Sequence, residues 1–78
     1  MADSELMSFA EAVQFVIRTY NGDIRQMIAA HESFGSSKED NFKKKLIKIT
    51  ILAIVWRKTG GSDEMRLEIQ QLWDSLDD

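Results

Sequence analysis

Apolar residues recur along this chain at intervals of three and four, and nowhere in sustained alternation, which predicts helices and no strands. No proline occurs, and the four glycines stand at 22, 35, 60 and 61, dividing the chain into four helical segments. The pattern predicts an all-α fold: a single small domain over residues 1–78 with helices at about 4–20, 23–34, 37–59 and 62–77.

The stretch Phe42 to Lys58, FKKKLIKITILAIVWRK, organises the rest. Wound at 100° per residue, it sets Phe42, Leu46, Ile49, Ala53 and Trp56 along one face. Ile47, Ile51, Leu52, Ile54 and Val55 point in the remaining directions, so its second half must be covered on every side. Lys43, Lys44, Lys45 and Lys48 give its first half a wet, basic flank. The expected role is a central third helix, partly exposed at its start and enclosed at its end.

The other segments carry ordinary amphipathic stripes and boundary signals. The first runs from Asp3 or Ser4 to Tyr20 with Leu6, Phe9, Val13, Val16, Ile17 and Tyr20 inward, and Ser8 with Glu11 offers a later start. Asn21-Gly22 is its left-handed stop. The second begins at Asp23, with Gln26 three residues on, and sets Ile24, Met27, Ile28, His31 and Phe34 inward until Gly35 stops it. Ser36 and Glu39 form the expected capping box of the third helix. Gly60-Gly61 ends that helix, and Ser62 caps the fourth, where Asp63 and Glu64 suit the positive end of the helix dipole. Met65, Ile69, Leu72, Trp73 and Leu76 make the fourth helix's buried face, and Asp77-Asp78 is an expected frayed tail. Phe15 and Leu67 fall outside their stripes.

Charge changes this picture more by its distribution than by its sum. The net charge is −3, and a pI near 5.0 argues against a dedicated nucleic-acid binder. Residues 38–58 hold seven basic and two acidic side chains, whereas residues 59–78 hold one basic and six acidic. If the two-residue Gly60-Gly61 turn folds helices three and four into an antiparallel hairpin, residue 60−k lies near residue 61+k. Lys44 then faces Asp77, Lys48 faces Trp73 and Asp74, and Arg57 and Lys58 face Glu64 and Asp63. Each exposed pair contributes only ~0.2–1 kcal/mol, but together they specify orientation.

At 78 residues a chain buries roughly 60% of its unfolded surface, so a lone core is marginally stable. The absence of cysteine removes disulfides and thiolate metal sites, which leaves oligomerisation as the available reinforcement. The N-terminus MADSELM lacks the basic and apolar regions of a secretory signal, and the apolar run from Leu46 to Trp56 is too short to span a membrane. The expectation is a soluble, cytoplasmic protein that does not engage membranes.

Candidate chemistry is sparse. His31 lies within an apolar stripe and is expected to be buried with a hydrogen-bond partner. His31-Glu32 opens like HExxH, but the fifth position is Gly35, so no zinc-protease site results. Gly60-Gly61-Ser62 follows a helix rather than a strand and lacks the lysine of a phosphate-binding loop. The fourth helix is too acidic to serve as a DNA-recognition helix. No catalytic constellation, metal or cofactor is therefore expected.

The surplus of apolar positions points instead to association. Ile51, Val55, Trp56 and Leu67 are expected at the core or at a homodimer interface, and Lys43, Lys44, Lys45, Lys48 and Phe15 form the expected partner-binding surface. The leading expectation is a non-enzymatic protein-interaction module, a homodimer that binds or inhibits a protein partner. Its size and acidity are those of the broad class of small phage, viral and bacterial regulators. The alternative is a dimeric binder of duplex RNA or DNA whose two Lys43–Lys48 flanks join into one basic track.

Overall fold

Local capping chemistry divides the chain into its helices. The structure is a computed structural model that describes residues 9–76. It contains α1 (Phe9–Thr19), α2 (Ile24–Ser33), α3 (Lys38–Lys58) and α4 (Asp63–Asp74), with no strand among the described residues. The expected start of the first helix, with Leu6 and the Ser8 cap, lies outside the described residues, as does the Asp77-Asp78 tail.

The end of α1 is the stop expected of Asn21-Gly22. Asn21 takes φ 55°. The Gly22 amide donates to the Ile17 carbonyl at 2.8 Å and that of Asn21 to Arg18 at 3.4 Å, the pairing of a Schellman motif. Asp23 then caps α2 by accepting from the Arg25 amide at 2.9 Å. Ser62 caps α4 by accepting from the Met65 amide at 3.2 Å.

Two boundaries differ from expectation. The cap of α3 is Ser37 rather than Ser36: its hydroxyl accepts from the Asp40 amide at 3.0 Å. The Asp40 carboxylate in turn accepts from the Gly35 amide at 3.0 Å. This reciprocal pair satisfies the turn one residue later than the Ser36–Glu39 box, and Glu39 is turned instead toward Lys43. At the end of α2, Phe34 leaves the helix in extended backbone (φ −73°, ψ 150°), and Gly35 is not among the left-handed glycines. Extended Phe34 lays its ring, half-buried, against the core.

Helix α3 packs against each of the other three helices, as its all-round apolar second half requires. Every residue from Ile49 to Trp56 is buried or half-buried. Val16, Met27 and Ile47 form a buried cluster joining α1, α2 and α3, with Ile17, Tyr20, Phe34, Leu46, Ile51 and Ile54 packed around it. Ala12, Ile49, Thr50, Ala53 and Ile69 are also buried. Ile47, one of the positions off the Phe42–Trp56 face, is buried as well, and so is the polar Thr50, while Phe42 at the start of that face remains 43% exposed. Thr50 is tolerated there because its hydroxyl donates to the Leu46 carbonyl at 2.9 Å.

Two contacts show α3 and α4 running in opposite directions. The Trp56 indole donates to the Ser62 carbonyl at 3.0 Å, and Lys45 Nζ donates to the Ser75 carbonyl at 2.8 Å. The expected ladder of ion pairs between them is not formed: among the described residues the ion pair is Lys43–Glu39, 3.4 Å apart within α3. Burial of Ala53 and Ile69 turns the charged neighbours outward, where water solvates them. The Lys44–Asp77 pairing lies outside the described residues. No helix among these is long and apolar enough to cross a membrane.

Candidate functional site

Consecutive lysines on a helix point about 100° apart, so a cluster in sequence need not be a cluster in space. Lys44, Lys45 and Lys48 line one open cavity of about 710 Å³. Lys43 lies on the other flank, its ammonium 5.8 Å from the centre of the Phe34 ring. There it shares a smaller hollow of about 250 Å³ with Phe15, Val16, Tyr20, Leu46 and Ile47. The five residues expected to form one partner-binding surface thus divide into two faces.

The larger cavity is built by the first half of α3, by Leu72 and Leu76 at the end of the chain's last helix, and by His31 of α2. Lys38, Asn41, Phe42, Lys44, Lys45 and Lys48 supply the α3 wall. Phe42, Leu72 and Leu76 give it an apolar floor, and the lysines give it a cationic rim. Glu39 is the carboxylate on that rim, and it is turned to Lys43. Lys45 is committed to the Ser75 carbonyl. Among the described residues, Lys38, Lys44 and Lys48 meet no carboxylate, so their charge is left to solvent.

Lys45 also serves α4. That helix has no basic residue in its own last turn, where carbonyls accumulate negative partial charge. Lys45 supplies the missing cation from the neighbouring helix.

His31 is half-buried on the cavity wall. The expected interior, hydrogen-bonded histidine is not found: no hydrogen bond joins its imidazole to another described residue. His31 and Glu39 share the cavity without a bond between them. No group of three or more histidine and carboxylate side chains among the described residues is placed to hold a metal ion.

The residues expected at the core or a dimer interface also divide. Ile51 packs on the Val16–Met27–Ile47 cluster. Val55 is half-buried. Trp56 lies over Gly61, where an added Cβ would come within 3.1 Å of the indole. Trp56 also borders an apolar groove of about 400 Å³ with Phe9, Val13, Ala53 and Ile69, beside an edge-on Phe9–Trp73 contact at 5.4 Å. Leu67, by contrast, is 56% exposed on the outer face of α4.

Sequence reasoning missed His31, Phe42, Leu72 and Leu76 as parts of the cavity. Their signal is weak: Phe42 and Leu76 sit at the ends of apolar stripes, where a helix wheel cannot tell a core position from a cavity floor. Compared with protein-family models, curated proteins and solved structures, the chain matches none.

Proposed function

We propose that this chain is a non-enzymatic protein-interaction module that binds a protein partner through the cavity between the first half of α3 and the end of α4. The supporting observation is the combination at that site: three lysines without carboxylate partners above a floor of Phe42, Leu72 and Leu76. Exposed cations favour an acidic surface and accelerate encounter, whereas the apolar floor contributes affinity only when a complementary side chain fills it. An acidic, apolar protein segment satisfies both.

Nucleic acid is less well served. A phosphate track needs cations along one accessible ridge, but Lys43 lies on the opposite flank and Lys45 is held by Ser75. The overall charge of −3 opposes a polyanion further.

The test is affinity capture with wild-type protein and with K44E/K48E, followed by reconstitution from purified components. A partner identified by mass spectrometry should bind wild type and lose about tenfold or more in affinity to the variant. If purified duplex RNA or DNA binds instead, with steep salt dependence abolished by changing Lys44 and Lys48 to glutamine, the nucleic-acid alternative replaces this reading.

A further inference from the structure

The acidic, apolar surface that suits the cavity is present on the chain itself. On α4 the residues Met65, Ile69, Leu72 and Trp73 are buried or half-buried, while Glu64, Leu67, Glu68 and Gln71 are exposed. These four stand at i, i+3, i+4 and i+7, so they form one strip along the outer side of the helix. Leu67 lies in it with 56% of its surface open. Neither Glu64 nor Glu68 meets a cation among the described residues.

The cavity wall on α3 has the same periodicity with the opposite charge. Asn41, Lys44, Lys45 and Lys48 again stand at i, i+3, i+4 and i+7, beside the exposed ring of Phe42. The strips occupy opposite ends of the hairpin, because Lys45 lies beside Ser75 and Trp56 beside Ser62. By that register, the middle of the acidic strip is about two helical turns along α4 from the level of the lysines. Within one chain they therefore do not meet.

We infer that the occupant of the cavity is a second copy of this chain, its Glu64–Leu67–Glu68–Gln71 strip seated against Lys44 and Lys48 with Leu67 over Phe42. A two-fold axis exchanges the ends of the hairpin, so each copy presents a basic strip to its partner's acidic strip and receives the reverse. The contact is made twice, each time with Leu67 as the one apolar anchor of a helix laid against a groove. Both complementary surfaces are open in the single chain, and their pairing covers Leu67 and Phe42 together. This inference rests on the reading of the cavity as a protein-docking surface. It implies that self-association masks the surface a different acidic partner would use.

Charge exchange tests it. Sedimentation equilibrium is run on wild type, on K44E/K48E, on E64K/E68K and on an equimolar mixture of the two variants. Wild type should be dimeric and weaken as salt is raised. Each double variant alone places like charges together and should dissociate at least about tenfold more readily. The mixture restores opposite charges at both contacts and should recover the dimer mass. Circular dichroism checks each fold. If a double variant unfolds, Leu67→Glu, an exposed position on an outer helix face, carries the test and should be monomeric. Wild type that stays monomeric across a tenfold concentration range overturns the inference, as does a mixture that fails to associate. Retention of the dimer by K44E/K48E, E64K/E68K or Leu67→Glu also overturns it. A monomeric wild type that still captures a partner through Lys44 and Lys48 would overturn the second copy as occupant while leaving the docking surface intact. Loss of both would remove the docking reading itself.

Discussion

Of the four lysines on the cavity wall, Lys45 is structural, and replacing Lys44, Lys45 and Lys48 in turn by methionine separates it from the other two. Methionine retains an apolar stem and a good helix propensity while removing the charge. Lys45 Nζ lies 2.8 Å from the Ser75 carbonyl, at the end of a helix that has no basic residue in its own last turn. A hydrogen bond from a charged donor contributes about 1.5–3 kcal/mol, and a cation at a helix C-terminus about 0.3–1 kcal/mol. Lys45 is half-buried, so water recovers part of both, and the expected net loss for Lys45→Met is about 1–2 kcal/mol. In a domain of this size that lowers the melting temperature by roughly 5–12 °C. Lys44→Met and Lys48→Met remove charges that meet no carboxylate among the described residues, and should stay within about 0.5 kcal/mol of wild type. Thermal and urea unfolding, followed by tryptophan fluorescence at high dilution, compares all three without interference from association. Trp73 lies in the last turn of α4 and should report its loosening. If the three variants unfold together, Lys45 does not hold the end of α4 and its separation from Lys44 and Lys48 is unfounded.

Three further outcomes follow from the packing. Ser37→Ala should cost about 1 kcal/mol in urea unfolding, whereas Ser36→Ala should cost much less, because the Ser37 hydroxyl caps α3; the reverse order would restore the earlier box. Gly60→Ala and Gly61→Ala both force alanine to positive φ, which costs about 1 kcal/mol. Gly61→Ala should cost roughly 1 kcal/mol more, since its Cβ meets the Trp56 ring and threatens the indole–Ser62 bond; equal losses would refute that contact. Ile49→Ala, at a position 1% exposed, should cost about 2–5 kcal/mol. Against the marginal stability of so small a core, that loss should leave much of the population unfolded by circular dichroism.

The helices of the described residues were legible because most of their boundaries are written within a few residues. Asn21-Gly22, Asp23 and Ser62 act through hydrogen bonds spanning two to five positions, so their partners are visible in the sequence. The central place of α3 was equally legible, since a helix apolar on every side has to be enclosed. At the start of α3 the sequence misled. The expected Ser36–Glu39 box gave way to the Ser37 cap, and the choice depended on the Gly35 amide, which only the folded turn brings to Asp40.

The candidate site was legible in composition but not in layout. Four lysines at 43, 44, 45 and 48 read as one patch, yet the position of α2 beside α3 gives Lys43 to Phe34. The end of α4 claims Lys45, leaving Lys44 and Lys48 at the cavity with Lys38. The opposite charges of α3 and α4 suggested a ladder of ion pairs that the apolar seam between those helices turned outward. The sequence by itself determined which segments are helical, because capping and amphipathic periodicity act over one or two turns. Only the tertiary structure decided which charges are used internally and which are left open, because that depends on the rotation of each helix against its neighbours. Burial of Met27, Ile49 and Ile69 sets that rotation, and the charged side chains take the directions that remain.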